Sequence, residues 1–276
     1  MYKKFLIIAS KKDKAGINIT TQLSQFRKNP FSSILQKDEK GFDFYLVDDE
    51  ILFNENLNLE KINKYDFIIF ASKHSSGKEE KAITVHTPGN FREAKYGGEK
   101  GKISKTSALF IKHLFEKLNE NAEKHSLKDY DITMEATHHG PLVDKPCLFI
   151  EIGSTEHEYS DRRIGFIVAK TISETIDDFH ENPYNEIAIA LGGGHYCPNF
   201  NKIQEKSNVA ISHVIPSYVA PITEEMILEA VKKTEEEIDF AILDWKGFGN
   251  AEQRNEVVKI LEKNYIQWKK TSEIRK

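Results

Sequence analysis

The sequence is poor in cysteine, and its hydrophobic residues never form a long uninterrupted run. Only Cys147 and Cys197 occur among 276 residues, which is too few for a framework of disulfide bonds. No apolar run approaches the roughly 20 residues that cross a bilayer, and the short run FLIIAS is not followed by the cleavage site of a signal peptide. We therefore expect a cytoplasmic protein that has no membrane partner.

The sequence also lacks an excess of positive charge. Lysine and arginine number 39 against 43 aspartates and glutamates, which gives a formal net charge of −4 at pH 7. This balance argues against a protein that coats nucleic acid, and we expect no DNA partner, although a local basic patch can still bind RNA. Hydrophobic residues make up 39% and charged residues 30% of the chain, as in an ordinary folded globular protein.

Patterns typical of buried strands alternate with patterns typical of amphipathic helices. Strands are predicted at KKFLIIAS, FDFYLVDD, YDFIIFAS, KAITVHTPG, DITMEATHH, PCLFIEIGS, EIAIALGGGH, NVAISHVIP and FAILDWKG, and helices over about residues 15–27, 104–124, 161–180, 223–237 and 250–268. This alternation indicates an α/β layered fold with a mainly parallel or mixed sheet. The sequence has no internal repeat or clear linker, so we expect one domain over residues 1–276, built as a single body or as two interleaved α/β lobes.

The stretch from 131 to 161, DITMEATHHGPLVDKPCLFIEIGSTEHEYSD, carries the densest group of candidate catalytic residues. Its alternating apolar residues predict that Glu135 and His139 share one face of a strand, whereas His138 points the other way unless the chain bends at Gly140. The second strand of the stretch is apolar except for Glu151. A carboxylate in such a run needs a partner, because burying an unpaired charge is costly.

Two interpretations of Glu151 remain open. The carboxylate can form a salt bridge with a buried lysine or arginine, or it can serve as a metal ligand or general base that faces His138 and His139. We favour the second interpretation, because zinc sites combine histidine nitrogen with carboxylate oxygen.

Histidines follow several of the predicted strands. Ligands of open α/β sheets bind outside the carboxyl ends of the strands, so residues at these ends are expected to face one cleft. The candidate metal ligands are His86, His138, His139 and His195. His74 lies at another strand end, where it either contacts substrate or hydrogen-bonds to Ser75 or Ser76, and His213 is predicted to be a core histidine.

Three consecutive glycines, Gly192, Gly193 and Gly194, follow one predicted strand directly. Their spacing is not that of a dinucleotide-binding fingerprint, so this class of site is not supported. The glycines either allow the backbone to approach a ligand, with amides that bind an oxyanion or a phosphate, or form a flexible turn.

Five blocks of the sequence together resemble the D-aminoacyl-tRNA deacylase family of the archaeal and plant type. They are SKHSSGKEEKAITVHTPGNF, MEATHHGPLVDKPCLFIEIGSTEHEYSD, ALGGGHYCP, SHVIPSY and LDWKG, which span roughly residues 72–247 in family order. Tyr159 stands where the family usually has tryptophan. The resemblance implies a three-layer α/β/α fold with a mixed, mainly parallel sheet, similar to the phosphorylase and peptidyl-tRNA hydrolase group. It also implies zinc-dependent hydrolysis of the ester that joins a D-amino acid to the 3′ end of tRNA.

A mechanism consistent with these residues is metal-assisted hydrolysis with one or two zinc ions. Zinc lowers the pKa of bound water to about 7, and Glu151 or Glu135 would move the proton during attack on the ester carbonyl. The acceptor end of charged tRNA needs positive charge near the cleft, and the glycine- and lysine-rich segment 92–105 is predicted to be a mobile basic loop. Lys100, Lys102 and Lys105 would contact phosphates there, unless they form an ordinary solvated surface.

We expect the protein to be a monomer. Two other classes of function remain open. A zinc exopeptidase or amidohydrolase acting on a small substrate could use the same histidines and glutamates, and it would cleave free peptides without regard to RNA. A non-enzymatic RNA-binding module would bind RNA in the presence of a chelator and show no turnover.

Overall fold

The computed structural model describes residues 1–26 and 40–275, and two β-sheets organise this part of the chain. The first sheet contains β1 (Lys4–Ser10), β2 (Gly41–Val47), β3 (Phe67–His74), β4 (Ala82–His86), β5 (Asp131–Met134) and β6 (Cys147–Gly153). The second contains β7 (Glu186–Leu191), β8 (Val209–Ile215), β9 (Phe240–Leu243) and β10 (Trp268–Lys270). The predicted α/β class is confirmed.

The helices are α1 (Lys14–Leu23), α2 (Leu59–Ile62), α3 (Ala108–Lys124), α4 (Glu156–Ser160), α5 (Arg162–Asp178), α6 (Pro198–Lys206), α7 (Glu224–Lys232) and α8 (Ala251–Lys263). Side-chain caps fix several starts: Asp13, Ser107 and Asp161 each accept a backbone N–H of the first turn of α1, α3 and α5. The helix predicted to reach Trp268 ends at Lys263, and Trp268 instead lies in β10, where it pairs with Ala241 of β9. The predicted end of the first helix, at Arg27, lies outside the described residues.

The strand order of the first sheet is β2-β1-β3-β6-β4-β5. Its first four strands are parallel to one another, whereas β4 runs antiparallel to β6 and parallel to β5. The sheet is therefore mixed and mainly parallel, as expected. The expectation that all the histidine-bearing strands end at one edge is wrong, because β4 and β5 run opposite to β3 and β6.

The second sheet is parallel, with the order β10-β9-β7-β8, and a short segment links it to the first. In this crossing segment, residues 135–139, the Glu135 N–H donates to the carbonyl of Val85 at 3.0 Å. The next two N–H groups donate to the carbonyls of His195 at 2.8 Å and Val214 at 3.0 Å, which belong to the second half of the chain. The segment thus brings the ends of β7 and β8 close to β4.

The two faces of β6 contact different cores. Leu148, Ile150 and Ile152 pack with apolar residues of α1, α3 and α5, whereas Cys147 and Phe149 pack on the opposite face with residues of β1 and β3. Every residue of β6 is buried, which confirms the predicted strand with two buried faces. Alternation places Glu151 on the same face as Phe149, away from the helices.

Both cysteines are free and buried, which agrees with the expected absence of a disulfide framework. Among residues 1–26 and 40–275, no helix combines the length and apolar character that crossing a bilayer requires.

Candidate active site

Polar side chains collect on one face of the first sheet, across three neighbouring strands. The register sets Ser72 of β3 and Thr84 of β4 opposite Glu151 on either side of β6. His74 and His86 lie two residues further along β3 and β4, on the same face as Glu151. The ring of His86 stacks on Phe149, with a centroid distance of 5.1 Å and an angle of 4° between the planes. The site is therefore built on a rigid sheet face rather than on its edge.

The crossing segment places Glu135, His138 and His139 over this face. Its backbone bends at His139, where φ is +41°, as expected from the turn signal at Gly140. Gly140 is required at the bend, because a Cβ atom there would lie 2.3 Å from both the carbonyl oxygen of Leu52 and the backbone nitrogen of Gly98. The bend lets His138 and His139 approach the same cluster, although they are neighbours in sequence.

His195 enters from the loop after β7 and completes the arrangement. Its Nε2 atom lies 3.0 Å from Oε1 of Glu135, and its side chain is 33% exposed. The same carboxylate oxygen lies 3.3 Å from Nδ1 of His74. Glu135 therefore stands between two histidines that come from different sheets.

Seven side chains form what we call the histidine–glutamate cluster. They are His74, His86, Glu135, His138, His139, Glu151 and His195. The cluster contains three overlapping groups of three residues: His86–His138–His139, Glu135–His138–His195 and His74–Glu135–Glu151. Within each group the possible ligand atoms lie within 4.8 Å of one another. Each group offers enough ligands for a metal ion.

Several buried polar atoms of the cluster have no hydrogen-bond partner in the described structure. They are both ring nitrogens of His86 and the Oε2 oxygen of Glu135. His86 and Glu135 are 2% and 1% exposed, so water does not compensate them. Because an unsatisfied buried polar group is costly, these atoms indicate a ligand, and histidine nitrogen with carboxylate oxygen fits a zinc-type ion.

The electrostatics keep the two histidines of the crossing segment neutral. Burial and neighbouring imidazoles lower the pKa of His138 well below its usual range and that of His139 to about 4. Nδ1 of His138 donates to the carbonyl of Ala136 at 2.8 Å, and Nδ1 of His139 donates to that of Gly140 at 2.6 Å. Each ring therefore has Nε2 free as a lone-pair donor, the form that binds a metal.

The two glutamates are ionised. Burial raises the pKa of Glu135, but the imidazoles of His195 and His74 outweigh burial and hold this pKa well below the usual range. Burial also raises the pKa of Glu151, but the combined effect of His74 and His86 is larger and leaves this pKa below its usual value. Burial also lowers the pKa of His74, yet Glu135 and Glu151 raise it to about 10. A negative carboxylate pair is thus balanced by the imidazoles.

Glu151 has two histidine neighbours rather than a lysine or arginine. Within the described ranges its ion-pair partners are Nδ1 of His74 and Nε2 of His86, each 3.8 Å from Oε2. The alternative that a buried Lys or Arg pairs with this carboxylate is therefore not supported. The alternative that His74 bonds to Ser75 or Ser76 is also wrong, because its ring faces Glu135 on one side and Tyr196 on the other.

The cluster lies at the base of a cavity of about 430 Å³. Every member except His86 lines it, and Ile51, Leu52 and Tyr96 contribute an apolar wall. Lys12 and Lys73 supply positive charge at the same cavity. Ile51 and Leu52 were not predicted as site residues, because isolated apolar residues before a loop carry no signal of a binding site.

The glycine loop, residues 192–194, directly precedes His195 of the cluster. Two of its three backbone amides donate hydrogen bonds within the protein. The N–H of Gly192 donates to the carbonyl of Ile215 at 2.8 Å, and that of Gly193 donates to the carbonyl of Gly247 at 3.3 Å. These two amides are therefore not free to bind an oxyanion, which corrects that part of the prediction. The amide of Gly194 is the remaining candidate.

The basic loop, residues 92–105, has no helix or strand, as predicted. Lys100 pairs with Glu93 at 2.5 Å, and Lys105 lies 3.6 Å from Glu235. Lys100, Lys102 and Lys105 are all outside the cavity lining. His213 is fully buried and contacts the hydroxyl of Thr137 and the carbonyl of Lys233, which confirms the prediction of a core histidine.

Fold and site together define the class of the protein: an α/β enzyme whose buried histidines and glutamates form a potential metal centre at the base of an open cavity. Comparison with known proteins is more specific. A family model described as D-aminoacyl-tRNA deacylase matches residues 61–269. The D-aminoacyl-tRNA deacylase of Methanocaldococcus jannaschii is 32% identical over 275 residues, which cover 97% of this chain and 99% of that protein.

The D-aminoacyl-tRNA deacylase of Thermococcus onnurineus is 36% identical over 260 residues, covering 88% of this chain and 91% of the relative. A crystal structure described as that of a conserved protein of unknown function matches with a TM-score of 0.85 and 29% identity, covering 99% of this chain and 96% of the other. The chain belongs to the D-aminoacyl-tRNA deacylase family. The resemblance inferred from the five sequence blocks is thereby confirmed.

Proposed function

We propose that this chain hydrolyses the ester between a D-amino acid and the 3′ end of tRNA, and that a metal ion in the histidine–glutamate cluster assists. Family membership supports the reaction. The observation that carries the metal assignment is that, within the described residues, both buried ring nitrogens of His86 and Oε2 of Glu135 lack a hydrogen-bond partner, while the other six members of the cluster line the cavity.

The three-histidine group, His86, His138 and His139, is the proposed primary metal site. Three protein ligands with an open position are the usual catalytic arrangement for zinc. The second group, Glu135–His138–His195, shares His138, whose single free nitrogen binds one ion, so this group is an alternative to the first. The chemistry that bound zinc supplies is a water of lowered pKa and polarisation of the ester carbonyl.

Glu151 is the proposed general base. Its carboxylate is ionised, lines the cavity and lies 3.8 Å from both His74 and His86, so it can accept a proton from the attacking water. Glu135 is the second candidate, but it is more tightly surrounded, since His74 and His195 both lie within 3.3 Å of its Oε1 atom. We assign to Glu135 the task of orienting these two histidines.

The negative acceptor end of tRNA would meet positive charge at the cavity and around it. Lys12 and Lys73 line the cavity, although Lys12 is paired with Asp49 at 3.0 Å. Lys100, Lys102 and Lys105 are proposed to contact phosphates further from the ester. Such contacts strengthen binding without specifying the base sequence.

One experiment tests the proposed reaction against the two alternatives. The protein is incubated with the same tRNA charged with the D- or the L-form of one amino acid, with and without a chelator, and ester loss is followed. We expect loss of the D-ester alone, abolished by the chelator and restored by zinc. Cleavage of free peptides without regard to RNA would favour an exopeptidase, and chelator-resistant RNA binding without ester loss would favour a binding module.

A further inference from the structure

Two tyrosines hydrogen-bond to the outer nitrogens of the two histidines that flank Glu135. The hydroxyl of Tyr196 lies 3.2 Å from Nε2 of His74, and the hydroxyl of Tyr218 lies 3.1 Å from Nδ1 of His195. The inner nitrogens of these histidines lie 3.3 Å and 3.0 Å from the same oxygen of Glu135. The five side chains therefore form a continuous series, tyrosine–histidine–glutamate–histidine–tyrosine, through the centre of the cluster.

The backbone around Tyr196 is anchored to the first sheet. Its carbonyl accepts hydrogen bonds from the hydroxyl of Thr133 at 2.7 Å and from the side-chain amide of Asn201 at 3.0 Å. Asn201 also accepts from the N–H of Met134 at 2.8 Å. Tyr196 is thus held against the end of β5, close to the residue where the crossing segment begins.

The turn that carries Tyr218 is anchored from two sides. Ser217 donates to the carbonyl of Gly193 through its N–H at 3.0 Å and its hydroxyl at 2.8 Å. The guanidinium of Arg92, at the start of the basic loop, donates to the carbonyls of Val219 at 2.6 Å and Pro221 at 2.9 Å. Both the glycine loop and the basic loop therefore hold the turn that carries Tyr218 in place.

A histidine that binds a metal through one nitrogen usually donates its other N–H to a fixed acceptor, which sets the tautomer and the orientation of the ring. A phenol oxygen can accept such a bond while its own O–H donates elsewhere. Tyr218 is 59% exposed, so burial of apolar surface does not by itself explain its position. Its hydroxyl instead contacts Nδ1 of His195 at 3.1 Å.

We propose that Tyr196 and Tyr218 are positioning residues, which accept the outer N–H of His74 and His195 and so direct the inner nitrogens of both rings toward Glu135, a candidate metal ligand. This inference rests on the proposed metal-assisted function. Neither tyrosine lines the cavity of about 430 Å³, so both are assigned a role that acts through the histidines.

The test compares Tyr196→Phe and Tyr218→Phe with Tyr184→Phe, a matched control whose side chain is 82% exposed and takes part in neither hydrogen bond. Zinc affinity is measured by competition with a chromophoric chelator, and the visible spectrum of the cobalt-loaded protein reports ligand geometry. Loss of such a hydrogen bond typically weakens metal affinity or activity about 10- to 100-fold. We expect this loss for both site variants, an altered cobalt spectrum, a lower kcat and little change in KM.

The melting temperature of each metal-free variant separates positioning from general stability. A variant that melts earlier but keeps the wild-type zinc affinity, cobalt spectrum and kcat would overturn the inference and leave the proposed function standing. If the wild-type protein itself binds neither zinc nor cobalt, the proposed function fails and this inference fails with it.

Discussion

Replacing Glu151 with glutamine separates a catalytic carboxylate from a structural one, because the substitution keeps the size of the side chain and removes its charge. The carboxylate is 4% exposed, and its nearest ionic partners, His74 and His86, are each 3.8 Å away. That distance is beyond a good hydrogen bond, and both histidines retain Glu135 as a neighbour at 3.3 Å and 3.9 Å. We therefore expect Glu151→Gln to unfold at nearly the wild-type temperature.

The expected loss is in the rate. Removal of a group that moves a proton in the transition state lowers kcat by roughly 10²- to 10⁴-fold. Loss of one partner of a buried structural ion pair would instead cost about 3–5 kcal/mol of unfolding free energy. For a chain of this size that corresponds to a decrease in Tm of roughly 6–20 °C, at about 2–4 °C per kcal/mol.

The assay measures single-turnover ester loss from D-aminoacyl-tRNA, with thermal melting and bound zinc determined on the same samples. Glu158→Gln is the matched control, because Glu158 is also 4% exposed but caps α4 through Thr155 and contacts His157, outside the cluster. The control should keep its kcat. A Glu151→Gln protein that melts much earlier yet turns over normally at low temperature would refute the catalytic role, and one that loses its zinc would identify a ligand instead.

Three further predictions concern metal, charge and pH. Elemental analysis of protein purified without added metal should find zinc, and full activity in a verified metal-free sample would contradict the metal assignment. Replacing Lys100, Lys102 and Lys105 together with alanine should raise KM for charged tRNA and flatten its salt dependence with kcat preserved; an unchanged salt slope would show that these lysines are ordinary surface residues. Burial lowers the pKa of His213 to about 4, so below pH ~6.5 the unfolded chain binds a proton that the folded chain does not. Stability should therefore fall between pH ~6.5 and pH ~4, by at most roughly 3 kcal/mol, and urea unfolding of His213→Gln should show a smaller fall; an equal fall in both proteins would refute this.

The sequence predicted those features of the fold that depend on local pattern. The apolar run around Glu151 predicted the buried strand β6, and the run KAITVHTPG predicted β4. The direction of β4 was not predictable, because strand direction depends on how the chain returns to the sheet. The spacing of hydrophobic residues is the same for either direction. The same limit applies to Trp268, whose apolar ring fits a helix pattern as well as the strand β10.

The sequence predicted which residues form the candidate site better than it predicted how they are arranged. We grouped His86, His138, His139 and His195 because each was expected at a strand end, and the structure does bring them together. The reason is wrong for His86, which lies near Glu151 because β4 and β6 are antiparallel neighbours. The sequence predicted that His74 either contacts substrate or bonds to Ser75 or Ser76, whereas the structure sets it beside Glu135 and Glu151.

The two tyrosines that contact the histidines carried a weak signal. Tyr196 directly follows His195, and Tyr218 ends the block SHVIPSY, yet neither position shows what its hydroxyl contacts. Such contacts depend on loops from separate parts of the chain, including the anchoring of the Tyr218 turn by Arg92. No local pattern encodes an encounter of this kind.

The most direct test of the central claim is a zinc titration of metal-free protein, with hydrolysis of D-aminoacyl-tRNA as the readout. The rate should rise from near zero and saturate at one or two equivalents of zinc, and His138→Ala, which removes the ligand shared by two of the candidate metal groups, should stay inactive throughout. A full rate before any zinc is added, or saturation of His138→Ala at the wild-type rate, would contradict the claim that this cluster holds the catalytic metal.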